Sequence, residues 1–114
     1  MTAQELNTMM ASIGLPYAYN QFPDNTEQAP PFICFLLDRS NDFLADDKNY
    51  QRIEELTIEL YTDNKDYTLE STVESVLSQN GFVFSRTETW LDGEKMNMVV
   101  YTTEIILTEE STNG

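Results

Sequence analysis

The chain contains no histidine, a single cysteine, four glycines and only six lysine or arginine residues among its 114 residues. Each scarcity excludes something. Without histidine, Ser-His-Asp and Cys-His activation of a nucleophile are impossible. One cysteine and no histidine leave no ligand set for zinc, and an internal disulfide cannot form. The glycines build no phosphate-cradling loop. The cations Arg39, Lys48, Arg52, Lys65, Arg86 and Lys95 are scattered against twenty Asp and Glu, for a net charge of -14. No basic face is therefore expected for nucleic acid or for an anionic membrane. No segment approaches the roughly eighteen apolar residues of a membrane span, and residues 1–14 lack the basic start and continuous apolar stretch of an export signal. The lone thiol suits a reducing cytoplasm. The expectation is a soluble protein, intracellular at synthesis.

What the chain does have is apolar residues, 40% of the total, with six Phe, six Tyr and one Trp. That suffices for a real core in one domain of this length. We expect a single α+β domain over residues 1–107 and a flexible polar tail over 108–114. Thr2 and Glu5 stand at capping-box spacing, and Leu6, Met9, Met10 and Ile13 form one apolar stripe ended by Gly14 and Pro16. The two methionines suit packing against the domain's own sheet, or an adaptable contact surface. Tyr17–Phe22 reads as a short extended piece. Pro30 and Pro31 precede a strand, Phe32–Leu37, apolar on both faces and so central, with Cys34 a small buried core residue. Arg52–Tyr61 alternates with period two, except that Ile53 and Glu54 break the phase and predict a bulge near Glu54–Glu55.

A second helix starts at Asp66 or Thr68 and ends at Asn80-Gly81. Leu69, Val73, Val76 and Leu77 form its buried stripe, with Glu70 and Glu74 on its outer face. A hairpin follows, Phe82–Leu91 and Lys95–Leu107, turning at Asp92-Gly93. Its inward residues are Phe82, Phe84, Val99, Tyr101, Ile105 and Leu107. Together these elements predict two helices packed on one face of a four- to five-stranded, mostly antiparallel sheet.

The segment Asp38–Tyr50 is polar except for Phe43, Leu44 and Ala45, and a loop of that length is often functional. Its apolar tip, flanked by Asp42, Asp46 and Asp47, either docks on a neighbour or folds back on its own domain. Asp38, Ser40 and Asp42 have the spacing of a calcium loop's first ligands, but Phe43 stands where that loop needs glycine. The adjacent carboxylates Glu54-Glu55, Asp46-Asp47 and Glu109-Glu110 read as solvated surface. Neither a catalytic nor a metal or cofactor site is expected.

Four stretches carry a family resemblance: LPYAYNQF (Leu15–Phe22), PPFICFLLDRSNDFLADDKNY (Pro30–Tyr50), IELYTDNKDYTLESTVESVL (Ile58–Leu77) and TETWLDGEKMNMVVYTTE (Thr87–Glu104). In order and spacing, the chain resembles the tail-terminator or tail-completion proteins of siphophages and prophages of Gram-positive bacteria. Their fold is similar to that of the phage lambda terminator. The resemblance implies a non-enzymatic virion structural protein, made in the host cytoplasm. Its subunits would form a ring, a hexamer in the lambda case, that caps the head-proximal end of the tail tube. The implied partners are further copies of itself, the tail tube protein and the head-completion or connector proteins, with DNA passing through the ring unread. Contacts are expected from the loop residues Asp42, Phe43, Leu44, Asp46, Asp47 and Lys48 and from the hairpin tip Asp92, Gly93, Glu94 and Lys95, both chosen for length and exposure. Two other readings fit the composition: a neck or head-completion protein on the portal side, and a small acidic host-takeover protein that binds a basic target.

Overall fold

The structure is a computed structural model that describes residues 1–22, 28–38 and 51–108, without the side chains of Gln51 and Arg52. Two helices and a five-stranded sheet follow in the order α1 (Ala3–Ala11), β1 (Tyr17–Tyr19), β2 (Phe32–Asp38), β3 (Gln51–Thr62), α2 (Tyr67–Gln79), β4 (Ser85–Leu91) and β5 (Met96–Thr108). The spatial order of strands is β1-β2-β3-β5-β4. All pairs are antiparallel except β1 with β2. The expected α+β sheet is present, with one parallel pair at its edge.

Local signals in the sequence account for the helix ends. Thr2 Oγ1 accepts from the Glu5 amide at 3.1 Å while Glu5 Oε1 accepts from the Thr2 amide at 2.9 Å. Two amides that the first helical turn cannot satisfy are thereby bonded. Asp66 caps α2 by accepting from the Leu69 amide at 3.0 Å. At its other end Gly81 takes φ 83°. The Phe82 amide then donates to the Leu77 carbonyl and the Gly81 amide to the Ser78 carbonyl, the pattern of a Schellman stop. This cap occupies Phe82, so β4 begins at Ser85 rather than at Phe82.

Cross-strand register places Ile33, Leu60 and Val99 in one row and Phe35, Ile58 and Tyr101 in the next. Both rows face the helices. Leu6, Met9, Met10 and Ile13 from the α1 side and Val73 and Leu77 from α2 close over them in one core. Ile105 and Leu107 join it, as their alternation predicts, and Phe82 and Phe84 pack at its margin. Each large side chain excluded in this way contributes about 1.5–3 kcal/mol.

Two expectations are corrected here. The register of β3 with β5 runs unbroken from Gln51–Thr108 to Thr62–Asn97, so there is no bulge at Glu54–Glu55. Glu54 simply occupies a core-side position near the strand's start, buried and partnered. Nor does Glu70 lie on the outer face of α2. It is only 5% exposed, because charged partners from elsewhere in the chain meet it there.

Candidate functional site

Those partners come from β4 and from the turn before α2. Lys65 Nζ donates to Glu70 Oε1 at 3.0 Å and to Glu88 Oε1 at 2.8 Å. The Arg86 guanidinium bonds Glu70 Oε1 and also Glu88, at 3.2 Å, with Glu74 at 3.6 Å. Asn97 donates to Glu88 Oε2 at 3.0 Å and the Tyr101 hydroxyl to Glu74 Oε2 at 2.9 Å. Hydrogen bonds from Lys65, then Asn97, hold the Glu88 carboxyl below the usual range, and the Glu88 contact raises Lys65. The bond to Glu70 raises Arg86 further above its already high value. Glu70 Oε2 has no hydrogen-bond partner among the described residues. The cluster fastens the outermost strand under α2 by charge, where the rest of the sheet is held by apolar packing.

The opposite face of the sheet is different. Neither helix packs on it. Its rows are Phe32–Tyr61–Met98–Thr89, Cys34–Glu59–Val100–Thr87 and Leu36–Thr57–Thr102–Ser85, followed by Asp38–Glu55–Glu104 and Ile53–Ile106. Most of these side chains are half-buried, and Ile106 is 51% exposed. At one end lies a cleft of about 460 Å³ lined by Phe22, Phe32, Leu36, Leu91 and Met96, with Cys34, Glu59, Tyr61 and Glu94. Its aromatic wall is ordered: the Phe32 and Tyr61 rings stack with centroids 4.7 Å apart, and Phe22 meets Phe32 edge-on at 5.5 Å.

The polar groups in this cleft are held by one another and by burial. Tyr61 Oη donates to Glu59 Oε1 at 2.8 Å, and burial, followed by that bond, pushes the phenol well above its ordinary value. Burial first, and then the Glu59 charge, raise the Cys34 thiol. Both groups are protonated at neutral pH, so neither is a ready nucleophile. Cys34 is buried as expected, but on this side of the sheet and outside the main core. No group of three or more carboxylates and thiols among the described residues is placed to hold a metal ion. What the cleft offers is an apolar, aromatic floor with carboxylates at its sides.

Of the residues singled out from the sequence, Asp42, Phe43, Leu44, Asp46, Asp47 and Lys48 lie outside the described residues. Asp92, Gly93, Glu94 and Lys95 form the exposed four-residue tip between the paired Leu91 and Met96. The left-handed residue of this tip is Lys95, at φ 56°, and not Gly93, which suits a longer loop rather than a tight two-residue turn. The tip borders the cleft through Glu94. The floor itself was not anticipated as a site. Its signal was the second apolar phase of β5, Met96, Met98 and Val100, on the side away from Val99 and Tyr101. No family model matches the chain, and no curated protein matches it either.

Proposed function

We propose that this chain is a structural subunit of a phage tail, a terminator that caps the head-proximal end of the tail tube as a ring and forms part of the head–tail joint. The four sequence stretches that resemble that family support this reading of the assembly. The observation that carries the structural side is the sheet face on which neither helix packs. Phe32, Leu36, Leu91, Met96, Met98 and Val100, each half-buried, run from the middle of the sheet to the Asp92–Lys95 tip. A contiguous row of partly exposed apolar side chains suits packing by another protein, and methionine there adapts to its partner's shape. In the ring this face and the tip meet a neighbouring subunit or the end of the tube. The acidic surface suits a channel that lets DNA phosphates slide past without holding them.

The test is complementation of a terminator-null phage together with mass spectrometry of purified particles. The expected result is restored tail length and infectivity, with a few copies of the chain per tail. Presence in tail-less heads would instead assign it to the portal side of the neck. Absence from all particles would assign it to host takeover and end the structural reading. Within the face, Met96→Ser with Met98→Ser should abolish complementation and leave the purified chain folded.

A further inference from the structure

The outermost strand, β4, presents seven residues, Ser85 to Leu91, at the end of the sheet, six of them exposed. It has no proline and its pairing with β5 is unbroken. Among the described residues no strand pairs with its outer side, and such an edge offers a row of backbone groups to another strand. The other edge, β1, has three residues and offers much less.

We infer that β4 pairs with β4 of a second copy of this chain, antiparallel and centred on Thr87, to make one continuous sheet across a two-fold axis. The order of side chains carries this inference. In an antiparallel pair centred on Thr87, Arg86 of each copy stands opposite Glu88 of the other. Thr87 meets Thr87, Ser85 meets Thr89, and Phe84, just before the strand, meets Trp90. Opposite charges, hydroxyl pairs and an aromatic pair are the cross-strand combinations that stabilise a sheet. A centre one residue later sets Glu88 against Glu88, and a centre one residue earlier sets Arg86 against Arg86. Registers centred between residues turn the helix layers of the two copies to opposite sides and lose the Arg–Glu pairs. Thr87 is the one centre that opposes Arg86 to Glu88.

The surroundings agree with that register. Arg86 and Glu88 lie on the helix side with about a third of each side chain exposed, so their cluster can extend across the axis. Trp90, 48% exposed, gains an aromatic neighbour. Thr87 and Thr89 lie on the face away from the helices, and both copies would present that face to the same side. An interface that relates a surface to itself closes at two copies. It is thus separate from any ring contact, and it neither requires nor excludes the tail assignment.

The experiment is sedimentation of the purified chain at physiological salt, which screens the repulsion between two copies of net charge -14. The expected species has twice the mass of the 13.1 kDa chain. Thr87→Lys, a change at an exposed position, sets two ammonium groups opposite each other and should weaken association about tenfold or more. Melting and circular dichroism should show an unchanged fold. In a Cys34→Ala background, Thr87→Cys should form a cross-linked dimer on oxidation, because the two Cβ atoms meet at the axis. Thr89→Cys should not, because Thr89 faces Ser85. A wild-type chain that stays monomeric up to roughly 100 μM, or a dimer indifferent to Thr87→Lys, overturns the inference. So does cross-linking at Thr89 as efficient as at Thr87.

Discussion

Two faces of one sheet, built from alternate residues of the same strands, meet different fates. On the helix side Ile33, Ile58, Leu60 and Tyr101 are wholly excluded from water. One residue along, Phe32, Glu59, Tyr61, Met98 and Val100 are left half-buried or nearly so. Both phases of β2 and β5 are rich in apolar residues, so intrinsic strand preference does not separate them. The covering elements do. Two amphipathic helices suffice for one face, and the second retains the composition of a packing surface without a described element upon it.

The sharpest break of this comparison is Ile58→Ala on the helix side. It should cost about 2–5 kcal/mol, read by chemical denaturation of the purified chain. A loss below that range would mean the core relaxes around the cavity and the two faces are less distinct than their burial implies. Next comes Glu70→Ala, which leaves the Arg86 and Lys65 charges without their shared buried acceptor. The expected loss is about 1–3 kcal/mol, and hydrogen exchange should show β4 opening before β5. Uniform opening would mean that the ion cluster does not fasten the edge.

A smaller effect sharpens the same point through pH. Glu88 is held ionised by Lys65 and Asn97, so its folded pKa lies below the unfolded value of about 4.3. Its contribution is complete above that value and is lost as pH falls through it toward the folded pKa. Between about pH 5 and pH 3 the wild type should therefore lose more melting temperature than Glu88→Gln. Parallel curves would show the contact to be too well solvated to matter. The smallest effect belongs to the face away from the helices: Met98→Ser, at a half-buried position, should cost the isolated chain at most about 1 kcal/mol. A larger loss would show this face to be packed already in the free chain.

Much of the architecture was legible because local chemistry wrote it. Thr2 with Glu5, Asp66, and Asn80-Gly81 mark helix ends by the hydrogen bonds they make. The alternation Val99, Tyr101, Ile105, Leu107 marks the inward side of β5. What was hidden depended on distant partners. Glu70 sits in phase with Val73 and Leu77, yet a charged residue on a buried stripe is intelligible only once Arg86 arrives from β4. Glu54 reads as a phase break in isolation, although β5 simply continues opposite it. The hairpin tip of the expected contact set proved to be exposed, while the cleft beside it draws on Phe22, β2, β3 and β5 together, a combination no single stretch displays.

The central seam of the sheet, where β3 lies against β5, joins two segments with all of α2 and β4 between even their nearest pair, Thr62 and Asn97. The consequence is kinetic. A local hairpin such as β4–β5 closes in about 1–10 μs. The seam must first bring remote parts of the chain together, an entropic barrier that slows folding toward the millisecond-to-second range typical of sheets with distant pairing (roughly 10⁻³–1 s). For that interval Ile58 and Tyr101 are without the neighbours that later bury them. A freshly made chain is then most vulnerable to aggregation and proteolysis along the strands that become its best-protected interior.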